Sequence, residues 1–252
     1  MKFHLLLIFC FLLNIPLLSF SQNSRKVAVL DMTAYSAGTS PSRRLSAIQI
    51  MRNVGVPYII TTDLSEAVQH PIIITGSRIE ELSFNASERS QLIAYVQNGG
   101  VLITSNLRDT NLFALCGVTS RASSNTLYEI NFNTNAAPIF DLIDDPLETT
   151  VSIGNPSNGN SFHTQYYGLG TGISLAYYED NSTAFVKNTE GQGTVYLFGP
   201  DFRDITYRNL LNLDVQAQRS YSNGFEPTTD VFFFIIRNII RQHLPHTVSK
   251  YT

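Results

Sequence analysis

Four short apolar runs, each followed by a segment that can form a helix, constrain the fold more than any other feature. The runs read KVAVLDM, PYIITT, PIIITG and VLITS, and they begin at residues 26, 57, 71 and 101. Continuous apolar runs of this length are typical of strands that a parallel sheet buries on both faces. Strands that alternate with helices indicate an α/β fold.

The segments between these runs carry the start and stop signals of helices. Ser40 and Pro41 suit the cap and first turn of a helix that Gly55 would end. Asp63 can cap a short helix, and residues 85–100, NASERSQLIAYVQNGG, predict a longer one that ends at paired glycines. Right-handed crossovers would place such helices on both faces of the sheet. We therefore predict a flavodoxin-like, doubly wound and mostly parallel sheet.

The pattern changes between about residues 119 and 190, which are rich in Ser, Thr, Asn and Gly. Short runs such as TLYEINF and ISLAYYED predict antiparallel strands. We interpret this stretch as a β-rich insertion or sheet extension within the same domain. A last apolar strand in GQGTVYLFGPDF and a buried helix at residues 228–244 complete the domain. This helix is too short and too charged to predict a membrane span.

The N-terminus has the pattern of a secretory signal. Lys2 precedes the apolar run LLLIFCFLL, and the small residues of SFS follow at residues 19–21. This order predicts a signal peptide over residues 1–21, although an uncleaved anchor is the alternative. Residues 22–245 would then form one secreted or periplasmic domain without a transmembrane span. Residues 246–252 would begin a linker or a following segment.

Composition excludes several classes of function. A formal net charge of −3 and a pI of about 5.9 give no electrostatic footprint for nucleic acid. Cys10 lies in the signal and Cys116 is the remaining thiol, so the mature chain can form no internal disulfide. No His, Cys and Asp cluster has zinc spacing, and the GLGTG loop does not follow the first strand. We predict neither a metal nor a cofactor.

Polar residues follow several of the predicted strands. Asp31 ends the first strand, Ser105 and Asn106 end the fourth, and Asp201 and Arg203 follow the last. Ligands of open α/β sheets bind at the carboxyl ends of the strands, so we expect these residues to cluster there as a ligand site. Carboxylates and guanidinium groups are good partners for sugar hydroxyls or for a carboxylated ligand.

A structural role is the alternative for the same residues. Ser105 and Asn106 would then cap a helix that begins near Arg108. Asp204 is the better candidate for a cap of the helix that follows the last strand, and it could also pair with Arg208. Under this interpretation the polar residues at the strand ends stabilise the fold and bind nothing.

Three segments together resemble a known family. They are LIAYVQNGGVLITSN, LFALCGV and GQGTVYLFGPDF. They are similar to the class I glutamine amidotransferase-like fold, in its trehalose-utilisation-like branch, which occurs outside the cytoplasm and in sugar-processing proteins. The resemblance covers residues 26–117 and 191–213. It implies that the elbow after the fourth strand and the loop after the last strand hold the key residues.

The departures from the family pattern concern those key residues. Amidotransferases place a cysteine between glycines at the elbow, where this chain has Ser105, and a histidine in the second loop, where it has Pro200. A serine needs a base within hydrogen-bond reach to become a nucleophile. His163 is the histidine whose loop could reach the sheet edge. Ser105 and His163 are therefore weak catalytic candidates.

The resemblance also implies a context for the domain. Amidotransferase-like domains of this kind can precede a polysaccharide deacetylase domain, but IDDP at residues 143–146 lacks the spaced histidine pair of a deacetylase metal site. Deacetylation would then lie beyond Thr252. We expect an exported, non-catalytic domain that binds or scaffolds in glycan processing, with carbohydrate or a following catalytic domain as partner. The alternatives are a hydrolase that uses Ser105 and a purely structural interaction module.

Overall fold

The computed structural model describes residues 26–31, 41–82, 84–143, 146–157, 159–208 and 230–244. The expected signal peptide at residues 1–21, the proposed cap Ser40 and the segment 246–252 lie outside these ranges. Within them, every helix is too short or too polar to cross a bilayer.

Five α-helices are described, of which the first three match segments predicted in the first half of the sequence and the last matches the buried helix expected at residues 228–244. They are α1 (Pro41–Val54), α2 (Leu64–Ala67), α3 (Ala86–Gln97), α4 (Pro146–Thr149) and α5 (Asp230–His243). Asp63 caps α2, since its side chain accepts from Ser65 N at 2.8 Å. Asn85 and Glu88 form a reciprocal capping box at the start of α3. After β4 the chain forms a short 3₁₀ turn, Thr110–Leu112, capped by Asp109.

Thirteen strands are described in the chain. They are β1 (Val27–Leu30), β2 (Tyr58–Thr61), β3 (Ile72–Ser77), β4 (Val101–Ser105), β5 (Val118–Ser124), β6 (Glu129–Phe132), β7 (Thr150–Ser152), β8 (Gly154–Asn155), β9 (Asn160–Ser161), β10 (Thr164–Leu169), β11 (Ile173–Tyr178), β12 (Thr183–Glu190) and β13 (Gly193–Phe198). A short π-helix, Asp204–Arg208, follows β13. Strands β8 and β9 form a separate pair, and the other strands form one sheet.

The main sheet is mixed, and the expectation of a mostly parallel sheet is wrong. Its 11 strands follow the order β2-β1-β3-β4-β13-β12-β11-β6-β7, with β10 pairing β12 and β5. Only β2, β1, β3, β4 and β13 pair in parallel. Residues 118–190 have no crossover helix long enough to return the chain in parallel, so their strands pair antiparallel. They extend the same sheet from β13.

Alternate side chains of the parallel strands enter two cores, one on each face of the sheet. Val27 and Val29 of β1 face a core that α1 and α5 cover, whereas Ala28 and Leu30 face a core that α2 and α3 cover. The first core is rich in aromatic rings, and Phe185 stacks on Phe198 at 4.0 Å between centroids. Helices on both faces leave the carboxyl ends of the parallel strands as an edge that the cores do not fill.

The paired glycines after α3 let β4 and β13 start close beneath that helix. Gly99 has a φ of 104°, which side chains other than glycine rarely adopt. A Cβ on Gly100 would lie 2.3 Å from the Tyr95 ring, and one on Gly193 would lie 2.0 Å from Val96 O. These contacts fix β4 beside β13, so the residues after both strands meet at the same edge.

Candidate functional site

The residues that the sequence singles out at the strand ends lie at one edge of the sheet. Asp31 directly follows β1, Ser105 ends β4, and Asp201 and Arg203 come shortly after β13. Because β1, β3, β4 and β13 run in parallel, their carboxyl ends share this edge. The structure therefore brings these residues to one side of the fold, as expected.

Ser105 is buried, and its hydroxyl holds the backbone of another segment. Its Oγ accepts a hydrogen bond from Phe202 N at 3.1 Å, and the side chain has no exposed surface. On the neighbouring strand, Ser77 Oγ accepts from Arg203 N at 3.0 Å. Both serines thus cap the helical turn that begins at Phe202. The expectation that Ser105 caps a helix near Arg108 is wrong.

Asn106 occupies a strained elbow immediately after β4. Its φ is 53°, in the left-handed region that asparagine tolerates better than most side chains. Its backbone N donates to Phe198 O at 2.8 Å, and its Oδ1 accepts from Arg78 Nε at 3.3 Å. Arg78 is itself at a φ of 61°. Two adjacent strand ends therefore hold costly backbone conformations, which often occur at functional sites.

Asp201 is fully buried and caps the turn after β13. Its Oδ1 accepts from Arg203 N at 2.9 Å, and its backbone N donates to His163 O at 2.9 Å. The sequence assigned the capping role to Asp204 instead. The structure gives the capping role to Asp201, because the turn begins at Phe202, one residue after Asp201. The Arg208 side chain lies outside the described part, so its proposed pair with Asp204 stays a prediction.

Asp204 joins His163 to Arg203. One carboxylate oxygen, Oδ2, accepts from His163 N at 2.5 Å and lies 2.8 Å from His163 Nδ1. The other, Oδ1, lies 3.5 Å from Arg203 Nε. Burial alone would raise the pKa of this carboxyl, but the His163 hydrogen bonds and the Arg203 charge outweigh it and hold the pKa below its ordinary value. Asp204 is therefore an ionised, buried carboxylate.

The ionised carboxylate decides the tautomer of His163. Arg203 Nη2 also lies 2.9 Å from His163 Nδ1, but one nitrogen cannot both donate to Asp204 and accept from Arg203. A carboxylate can only accept, so the Nδ1 proton belongs to the bond with Asp204. In the neutral ring the lone pair is then on Nε2. The sequence identified His163 but gave no signal for its pairing with Asp204, since 41 residues separate them.

Burial separates the residues that a ligand from solution can reach from those that it cannot. Ser105, Asn106 and Asp201 are 0% exposed and Asp204 is 1% exposed. The His163 side chain is 46% exposed, the Arg203 side chain is 17% exposed, and Asp31 is half-buried. The side chains of these residues that solvent reaches are therefore His163, Arg203 and Asp31, and the buried Asp201 and Asp204 contact the first two.

The described contacts provide neither a metal centre nor an activated serine. Within the described ranges, no group of three or more His, Cys, Asp or Glu side chains could hold a metal ion. The described hydrogen bonds of Ser105 run to backbone atoms and do not include His163. Cys116 is buried, and burial raises the pKa of its thiol to about 12, so it is not a reactive nucleophile.

A separate groove is lined by none of the residues at the strand edge. It measures about 610 Å³ and runs along the end of α5, beside the strained and exposed Leu142. Asn238 spans it by donating to Ile139 O and Asp141 O at 3.0 Å each. These bonds brace the end of α5 against the preceding loop. The groove also has charged side chains, Asp141 and Arg241, but the strand edge joins a buried carboxylate to His163 and Arg203, so the strand edge is the candidate site.

The chain shares its fold with solved structures of low sequence identity. No family profile and no curated protein sequence matches it. An α-L-fucosidase isoenzyme from Paenibacillus thiaminolyticus matches 87% of this chain at 12% identity, with a TM-score of 0.57. A ThuA-like protein from Bacteroides uniformis matches 85% at 11% identity, with a TM-score of 0.54. A carbohydrate deacetylase matches 84% at 15% identity, with a TM-score of 0.53.

The matched lengths divide these structures into two kinds. The chain covers 91% of the ThuA-like protein but only 33% of the fucosidase and 32% of the deacetylase. It also covers 35% of an exo-β-1,4-mannosidase from an Opitutaceae bacterium, at 13% identity and a TM-score of 0.51. The chain therefore spans about a third of the length of these enzymes.

Proposed function

We propose that this chain is an exported, non-catalytic, amidotransferase-like domain that binds carbohydrate in glycan processing. The observation that carries the non-catalytic role is the Ser105 hydroxyl, which is buried and accepts a hydrogen bond from Phe202 N. The residue at the elbow position thus serves the backbone and offers a substrate no nucleophile. In this proposal residues 22–245 form the domain and its parallel half is flavodoxin-like, which the strand order β2-β1-β3-β4-β13 supports.

The fold comparisons support a carbohydrate-related role. The matching structures include a fucosidase, a mannosidase and a carbohydrate deacetylase, and the ThuA-like protein belongs to the class that the sequence resembles. Since the chain spans only about a third of these enzymes, the domain works beside a catalytic partner domain. A polysaccharide deacetylase is the partner that the resemblance implies.

The binding edge has an exposed part and a supporting part. Arg203 contacts the ligand directly, and Asp31 extends the same edge at the end of β1. Ser105 and Asp201 support this edge because their buried hydrogen bonds hold the backbone of Phe202 and Arg203, and Asn106 donates to His163 O.

One observation favours a hydrolase as the second candidate function. His163 has an exposed ring whose Nδ1 is oriented by the buried Asp204, and this arrangement suits a general base. The base would activate a water molecule, since Ser105 is not within its described hydrogen bonds. In this case His163→Gln would abolish turnover, whereas Ser105→Ala would leave most of it.

A binding screen with parallel turnover assays tests the proposal. The mature chain is screened against neutral and charged oligosaccharides and assayed for glutaminase, esterase and deacetylase activity. We expect carbohydrate binding that Arg203→Ala weakens about tenfold or more, and no turnover. Arg52→Ala is the matched control, because this exposed arginine lies in the last turn of α1, near the opposite edge of the sheet. Turnover that Ser105→Ala abolishes in a folded protein would refute the non-catalytic role.

A further inference from the structure

The acidic and basic groups of the edge are sorted by depth. Asp201 and Asp204 are 0% and 1% exposed, and their oxygens face N–H groups of His163 and Arg203. The exposed side chains above them, His163 and Arg203, offer only nitrogen atoms. The carboxylate oxygens of Asp201 and Asp204 therefore point inward, and the Arg203 guanidinium is the charged group of the cluster that reaches solvent.

The two buried carboxylates fix the direction of the Arg203 guanidinium. Its Nε lies 3.5 Å from Asp204 Oδ1, and its Nη2 lies 3.9 Å from Asp201 Oδ2. A guanidinium is planar and rigid, so fixing these two nitrogens also fixes the third. In the described part of the chain, Arg203 Nη1 makes no hydrogen bond. This donor is held in place before any ligand arrives.

Arg78 adds a second guanidinium at the end of the neighbouring parallel strand. It is half-buried, and its Nε donates to Asn106 Oδ1 at 3.3 Å. Its φ of 61° is a conformation that an L-residue adopts at a cost. Two half-buried guanidinium groups, Arg78 and Arg203, thus follow β3 and β13, while the half-buried carboxylate of this edge, Asp31, follows β1. The two guanidinium groups favour an anion where they lie.

Building on the proposed carbohydrate function, we propose that this edge binds a saccharide that carries a carboxylate, such as a uronic acid. The carboxylate lies against Arg203 with His163 beside it, and the buried Asp204 positions both side chains. A guanidinium matches the flat, two-oxygen geometry of a carboxylate better than it matches a single hydroxyl. A neutral sugar would satisfy the same donors less completely.

Asp204 acts through the residues that it holds. It accepts from the His163 backbone N, faces His163 Nδ1 and pairs with Arg203 Nε. Asp204→Asn keeps the size of the side chain but removes its charge and half of its acceptors. His163 and Arg203 would then lose their shared anchor. The expected consequence is a loss of preference for acidic over neutral ligands.

The test measures this preference with pairs of ligands that differ only in charge. Oligosaccharides of galacturonic, glucuronic and mannuronic acid are titrated into the mature chain by calorimetry, each beside its methyl ester. Neutral oligosaccharides and a sulfated galactose oligosaccharide complete the panel. The variants are Arg203→Ala, Arg203→Lys, His163→Gln and Asp204→Asn, with Arg52→Ala as control and a thermal melt for each.

We expect at least one acid to bind about tenfold or more tightly than its methyl ester. Arg203→Ala and Asp204→Asn should reduce that ratio toward one, while Arg203→Lys should keep part of it and Arg52→Ala all of it. Equal binding of an acid and its ester, or a preference for the sulfated ligand, overturns the inference and leaves carbohydrate binding standing. If no saccharide of the panel binds at millimolar concentration, the proposed function itself fails.

Discussion

The edge of the parallel strands has two tiers that treat their polar groups differently. The buried tier consists of Ser77, Ser105, Asn106, Asp201 and Asp204, and the exposed tier consists of His163, Arg203 and Asp31. In the buried tier nearly every acceptor faces a specific N–H group of the protein. In the exposed tier, the side chains of His163 and Arg203 contact the carboxylates of the buried tier but still reach solvent. A polar residue at a strand end is therefore not by itself a ligand residue, because its depth decides its role.

Ser77 and Ser105 show why the residue type alone misleads at this edge. They end the adjacent strands β3 and β4, and their Oγ atoms accept from the successive backbone N–H groups of Arg203 and Phe202. Ser105 lies at the elbow where the resemblance to amidotransferases implies a nucleophile, and Ser77 does not. Both hydroxyls nevertheless accept from a backbone N–H of the same turn.

Asp204→Asn should have the largest effect on stability within the buried tier. The change weakens charge-assisted hydrogen bonds to His163 and the pairing with Arg203, and we expect a loss of about 1.5–3 kcal/mol at pH 7. The measurement is denaturant unfolding followed by circular dichroism.

The same variant has a pH dependence with a defined sign. The pKa of Asp204 is lowered in the folded protein, so its contribution is fully present above the unfolded value of about 3.9 and is lost as the pH falls through the lower folded pKa. The difference between the wild type and Asp204→Asn should therefore shrink below about pH 4. A difference that stays constant from pH 7 to pH 3 would show that the charge of Asp204 does not stabilise the fold.

Asp201→Ala should rank second, because it removes a cap and a 3.9 Å pairing with Arg203, whereas Asp204 contacts both His163 and Arg203 more closely. We expect a loss of about 0.5–2 kcal/mol, from the bond between Asp201 Oδ1 and Arg203 N. Asp63→Ala is the control, since Asp63 is an exposed cap of the short helix α2. A smaller loss at Asp201 than at Asp63 would contradict the importance of burial in this comparison.

Ser105→Ala should cost about 0.5–1.5 kcal/mol, the usual net value of one hydrogen bond. Ser77→Ala should cost about the same, because the two hydroxyls hold adjacent N–H groups of one turn. Chemical denaturation of both variants provides the measurement. A catalytic Ser105 would appear as the reverse pattern, in which Ser105→Ala loses activity but Ser77→Ala does not.

The parallel half of the sheet could be predicted from the sequence because each of its strands is a local signal. The runs that became β1, β2, β3, β4 and β13 are continuous and apolar, and caps or glycines bound the helices between them. Their order in space also fixes which polar residues share an edge. The placement of Asp31, Ser105 and Asp201 at that edge followed from this local information.

The depth of each residue at the edge could not be predicted, because it depends on contacts between distant segments. Ser105 meets Phe202 across 97 residues of sequence, and His163 meets Asp204 across 41. Whether Asp201 or Asp204 caps the turn depends on the residue at which the turn begins, and the sequence pattern allows either start. The antiparallel extension was underestimated for a similar reason, since short alternating runs do not show which existing strand they will pair with.

The smallest effect on stability should come from His163→Gln in the exposed tier. The His163 side chain is 46% exposed, so solvent weakens its pairing with Asp204. The backbone N–H of residue 163 and Arg203 would still face the carboxylate, and we expect a change within about 0.5 kcal/mol. The preference for acidic saccharides should nevertheless fall, because the side chain beside Arg203 has changed. Unfolding curves and calorimetric titrations of the same protein preparation measure both quantities. A loss above about 1.5 kcal/mol would place His163 with the buried residues, since only groups whose contacts are shielded from water contribute that much.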